Sequence, residues 1–102
     1  MDANAKEIFA ARVAEYVAAK GEAESLRVAA EALSAAAAEA HAALKAVSDA
    51  AGPGLVAYLA NEAAIEAARD AYDAARAASD AANVEFWVAR DWASELWESI
   101  YG

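Results

Sequence analysis

Between Ala57 and Ala81 eight alanines recur at alternating spacings of three and four: Ala57, Ala60, Ala64, Ala67, Ala71, Ala74, Ala78 and Ala81. Side chains of an α-helix return to the same face every three to four residues, so this rhythm draws one stripe of methyl groups along a helix. Glu62, Glu66, Asp70, Asp73 and Asp80 fall on the other side. The period of two that a half-buried strand requires is absent from this stretch, and the pattern commits it to helix. A core helix usually buries Leu, Ile or Phe along such a seam, because each buried methylene is worth about 0.8 kcal/mol. An alanine stripe gives that up, so either another backbone comes very close or the space is held open for something large.

Four helices are expected from the surrounding punctuation. Asp2 is a good N-cap for a first helix running to Lys20, with Gly21 as its left-handed C-cap and Phe9, Val13, Tyr16 and Val17 as its apolar side. A second helix, from about Glu22 to Ala51, carries Leu26, Ala30, Leu33, Ala37, Ala40, Leu44, Val47 and Ala51 at heptad-like spacing. Gly52-Pro53-Gly54 then forces a turn, since proline lacks an N–H and glycine accepts positive φ. The third helix starts beside Leu55 and bears the alanine face next to a stripe of Tyr58, Asn61, Ile65, Ala68, Tyr72, Ala75 and Ser79. Its rhythm ends at Ala81, and Asn83 can cap a fourth helix that buries Phe86, Ala89, Ala93, Leu96, Trp97 and Ile100. The alternative is three helices, with the last two continuous to Tyr101, because the polar stripe keeps its phase through Asp91, Glu95 and Glu98. Either way the fold class is all-α, an up-down antiparallel bundle forming one domain over residues 1–102.

Eight Lys and Arg stand against seventeen Asp and Glu, a formal net charge of -9. Phosphate backbones and anionic lipid surfaces are bound through basic side chains, so neither nucleic acid nor membrane is an expected partner. No cysteine is present, and no stretch reaches the ~18 uncharged apolar residues of a membrane span. The opening Met1-Asp2-Ala3-Asn4-Ala5-Lys6-Glu7 lacks the basic-then-apolar layout of a signal peptide. A soluble, cytoplasmic-type protein without a targeting signal is expected.

His41 is the single histidine, flanked by Ala37, Ala38, Ala40 and Ala42. A helix cleared in this way lets a flat macrocycle lie against the backbone with the ring nitrogen as axial metal ligand. The Gly-Pro-Gly turn puts Ala64, Ile65 and Ala68 roughly opposite, with Tyr58 and Asn61 nearby to supply an apolar wall and a hydrogen bond. The competing reading makes His41 a solvated boundary residue between the leucine seam and the polar Arg27, Glu31 and Lys45 side. One histidine with scattered carboxylates does not make a zinc site, so His41 would hold a metal only within a bound metalloporphyrin. Trp92 and Trp97 read as core. Val84 and Trp87 share a side with Asp91, where solvent is expected; apolar groups out of phase there mark either an interface or a hydrophobic staple at the helix start. No nucleophile–base arrangement, phosphate loop or metal motif is present, and no enzyme activity is expected.

Alanine saturation, few lysines, short glycine-based turns at Gly21 and Gly52-Pro53-Gly54 and near-ideal helix phasing make the whole chain resemble a computationally designed helical bundle. That resemblance implies an idealised scaffold, a ligand-binding bundle or a protein binder. The function expected from the residues is binding of a planar aromatic or tetrapyrrole, haem-like ligand in an alanine-lined pocket formed by His41, Ala37, Ala38, Ala64, Ala68, Tyr58 and Asn61. The alternatives are a protein-binding module using Val84, Trp87 and Asp91, and a ligand-free scaffold. A monomer is expected in preference to a dimer.

Overall fold

A computed structural model describes residues 2–102. The elements are α1 (Ala3–Ala51), α2 (Leu55–Ala60) and α3 (Glu62–Tyr101), of 49, 6 and 40 residues, with no strand among the described residues. The all-α class follows. Asp2 caps α1 as expected: its Oδ1 accepts from the Ala5 N–H at 2.7 Å.

Two expected breaks are not there. Helix α1 passes straight through Gly21, and α3 passes straight through Asn83. Among the described residues positive φ is confined to Gly52 (85°) and Gly54 (97°). A glycine inside a helix costs about 1 kcal/mol relative to alanine, less than an uninterrupted seam returns. That seam runs through Tyr16, Ala19, Ala23, Leu26, Ala30 and Leu33 without a phase slip, and every one of these side chains is buried or half-buried. The same holds on α3 through Ala75, Ser79, Ala82, Phe86, Ala89 and Ala93. Continuity of the last two helices was the three-helix alternative; fusion of the first two was not foreseen.

One break was missed. Asn61 separates α2 from α3 at φ -118° and ψ 12°, its N–H donating to the Tyr58 carbonyl at 3.1 Å. Its side-chain Nδ2 donates to the Ala57 carbonyl at 2.9 Å, so the amide serves its own turn.

The alanine face turns outward. Ala60, Ala64, Ala67, Ala71, Ala74, Ala78 and Ala81 are exposed, and the neighbouring stripe of Tyr58, Asn61, Ile65, Ala68, Tyr72, Ala75 and Ser79 forms the seam. Of two adjacent stripes, the one carrying Tyr58, Ile65 and Tyr72 removes more apolar area from water per residue, and it wins the interior.

The chain divides into two compact units, one combining Met1–Ala30 with Ala82–Gly102, the other spanning Glu31–Ala81. In the first, Phe9 meets Tyr101 edge-on with ring centres 6.4 Å apart, and Ala19 packs with Ala93 and Leu96 against Tyr16. Advancing along α1 therefore retreats along α3, an antiparallel pair. In the second, the Gly52–Gly54 turn returns the chain, and His41 on α1 faces Tyr72 on α3. Interior side chains are mostly alanine: among the described residues the buried apolar ones are Ala19, Ala23, Ala30, Ile65, Ala93 and Leu96.

Candidate functional site

A pair of helices has one mutual seam and two open flanks. In the first unit both flanks are apolar, because the last five or so turns of α3 carry large residues on either side of its seam. Trp97 and Phe86 lie toward one flank, and Val84, Val88 and Trp92 toward the other.

The wider flank is a groove of about 850 Å³. Its floor is Ala23 and Ala93, whose lack of side chain beyond Cβ makes the depth. Tyr16, Phe86 and Trp97 wall it. Lys20, Arg27 and Arg90 stand along its edges with Glu24 and Glu98. Arg27 pairs with Glu24 one turn earlier on α1, its Nε donating to Oε2 at 3.0 Å and its Nη2 to Oε1. This guanidinium holds the Glu24 carboxyl below the usual carboxylate range, chiefly by its hydrogen bond. Arg90 lies 4.8 Å from the centre of the Trp87 ring, and that ring sits 5.3 Å from Phe86. A separate aromatic group is formed by Trp97, Tyr101 and Phe9, with ring centres 5.4 Å apart between the first two and 6.4 Å between the last two.

The narrower flank is a groove of about 420 Å³. Leu26, Val84, Val88 and Trp92 supply its apolar surface, Ala19 and Ala89 its floor, and Glu22 and Glu85 its only charges.

Of the residues expected to form an interface, Val84, Trp87 and Asp91 are all exposed, Trp87 by half of its surface. Sequence reasoning placed Trp92 and Trp97 in the core; both are about half exposed and line opposite grooves. They lie one position beyond the seam on either side, so each ring covers the seam with one face and meets water with the other. A further apolar patch went unnoticed on α2, where Leu55, Val56 and Leu59 are exposed. Its signal was three large apolar residues crowded beside the Gly-Pro-Gly turn.

The residues expected around a planar ligand all belong to the second unit. His41, Ala38 and Ala64 are exposed, while Ala37, Ala68, Tyr58 and Asn61 are half-buried in the seam. His41 has its ring 5.1 Å from that of Tyr72. Neither groove described above includes any of them. Among the described residues no group of three or more His, Cys, Asp or Glu side chains is placed to hold a metal ion. No described helix is long and apolar enough to cross a membrane. No protein-family model, curated protein or solved structure matches this chain.

Proposed function

We propose that this protein is a helical interaction module, in which the unit formed by Met1–Ala30 and Ala82–Gly102 docks an amphipathic helical surface of a protein partner. The observation that carries this reading is the exposure of Trp87, Trp92 and Trp97, each close to half, together with Val84 and Val88 on the same helix. Scattered apolar residues are ordinary on a surface. Trp97 lines the wider groove and Trp92 the narrower, with Trp87 exposed outside both, so within eleven residues one helix offers the large aromatic rings in which interfaces are enriched. A groove between two packed helices is also shaped for a third, because ridges of side chains on the incoming helix fit between those of the pair.

The four-helix arrangement expected from the sequence is reached in this reading by association, with docked helices supplying what one chain lacks. The resemblance to designed bundles fits the same picture, since protein binders are among the things such bundles are made to be.

The test is a titration with a net-neutral amphipathic helical peptide, followed by tryptophan emission. The expected result is a saturable blue shift in the micromolar range, absent with a scrambled peptide of the same composition. A chain whose emission responds equally to both peptides, or to neither, does not have this function.

A further inference from the structure

We infer that the partner in the wider groove is a second copy of this chain, paired through the Tyr16, Phe86 and Trp97 face about a two-fold axis; this rests on the interaction-module reading. The first argument is exposure. Trp97 leaves 48% of its surface open at this groove, and a large ring half out of water is the kind of apolar surface that the core of an interface covers.

The second argument is charge. Two copies at -9 each repel, and an interface between them must sit where the repulsion is locally cancelled. The wider groove gathers three of the chain's eight cations, Lys20, Arg27 and Arg90, against two acids, Glu24 and Glu98. A two-fold interface lays a patch against itself, so it needs both signs on that one patch, and this groove has them. The narrower groove carries Glu22 and Glu85 alone, which would face their own images across a two-fold axis. The same criterion that selects one flank therefore rejects the other.

The third argument is the aromatic line. Tyr16, Phe86 and Trp97 stand over the small side chains of Ala23 and Ala93, a row of anchors beside a floor that can receive their counterparts. Large rings set against alanine gaps are what a self-complementary helical face requires, and the resulting core would contain four helical segments, two from each copy.

Sedimentation over a concentration series tests this with the full chain. The expected species has the mass of two chains and dissociates on dilution. Trp97→Glu should weaken the dimer by at least about thirtyfold while helicity by circular dichroism is kept. Ser94→Arg, an exposed position in the same groove, should do the same and decides the matter should Trp97→Glu lose helicity. Val88→Glu, on the other flank, should leave the dimer intact. A wild-type chain that stays monomeric overturns the inference, as does a dimer lost in Val88→Glu and kept in both groove variants. A monomer that still gives the saturable peptide response removes the second copy alone, and one that gives none removes the interaction reading as well.

Discussion

The imidazole of His41 lies 5.1 Å from the ring of Tyr72, tilted by 55°, so the single histidine of the chain meets an aromatic partner across the helix pair of the second unit. The tyrosine is half-buried in the seam and the histidine rides on its edge. A tetrapyrrole placed on the histidine nitrogen would also have to find a wall, and Ala38 and Ala64 face solvent. The expected outcome of adding haem is no Soret band that depends on His41: wild type and His41→Ala should give the same spectrum. A red-shifted band lost in His41→Ala would favour the tetrapyrrole reading over this one.

Leu96 is the large residue of the Ala19, Ala93 and Leu96 cluster, only 8% exposed. Ala19 and Ala93 beside it are too short to fill the space it would leave, and among the described partly buried apolar residues only Tyr16 packs against them. Leu96→Ala should cost about 2–4 kcal/mol by urea unfolding. A loss below about 1 kcal/mol would mean that the cluster is not a core.

Gly21 and Gly52 should respond to alanine in opposite directions. A Cβ at Gly21 meets nothing within 4 Å, and the residue is helical. Gly21→Ala should therefore stabilise the protein by about 0.5–1 kcal/mol. Gly52 sits at φ 85°, where an added Cβ is strained even in open space, and Gly52→Ala should cost about 1–2 kcal/mol. Thermal unfolding of the two variants reads both signs, and destabilisation by Gly21→Ala would place a helix end there.

Glu24 titrates below the ordinary range because Arg27 hydrogen-bonds to its ionised form. A lowered folded-state value means the pairing contributes above the ordinary glutamate pKa and fades as pH falls through the lowered one. The Glu24 side chain is exposed, so the consequence belongs to the site and not to global stability. Carboxyl NMR should show the Glu24 midpoint rising in Arg27→Gln. An unchanged midpoint would mean that the pair does not form in solution.

Most of the interior was legible, and particular residues show why. Leu26, Ala30, Leu33, Ala37, Ala40, Leu44 and Val47 were read as one seam from spacing alone, and all are buried or half-buried. Phase is a property of the whole helix and survives local noise. The errors came where a local signal was set above phase: Gly21 and Asn83 carry breaker and cap chemistry, yet the three-four rhythm crosses both without a slip. The alanine face misled for a different reason. Two adjacent stripes share the same period, and only the larger area of Tyr58, Ile65 and Tyr72 decides between them. The grooves were the least legible, because residues one step off a seam, such as Trp92 and Trp97, become walls or core according to how many helices surround them. A sequence does not state that number.

The division of α1 and α3 between two units also sets an order of assembly. His41 and Tyr72 are joined by residues 42–71 through the turn, whereas residues 10–100 lie between Phe9 and Tyr101. Closing the longer loop costs more entropy unless the shorter one is already shut, so folding should begin at the turn and zip toward the termini. Ala71→Gly, at an exposed helical site in the second unit, should then slow refolding, and Ala10→Gly, in the first, should mainly speed unfolding. During synthesis the first thirty residues leave the ribosome long before Ala82–Gly102 exists to receive them. Their alanine-rich composition favours a nascent helix over the interval.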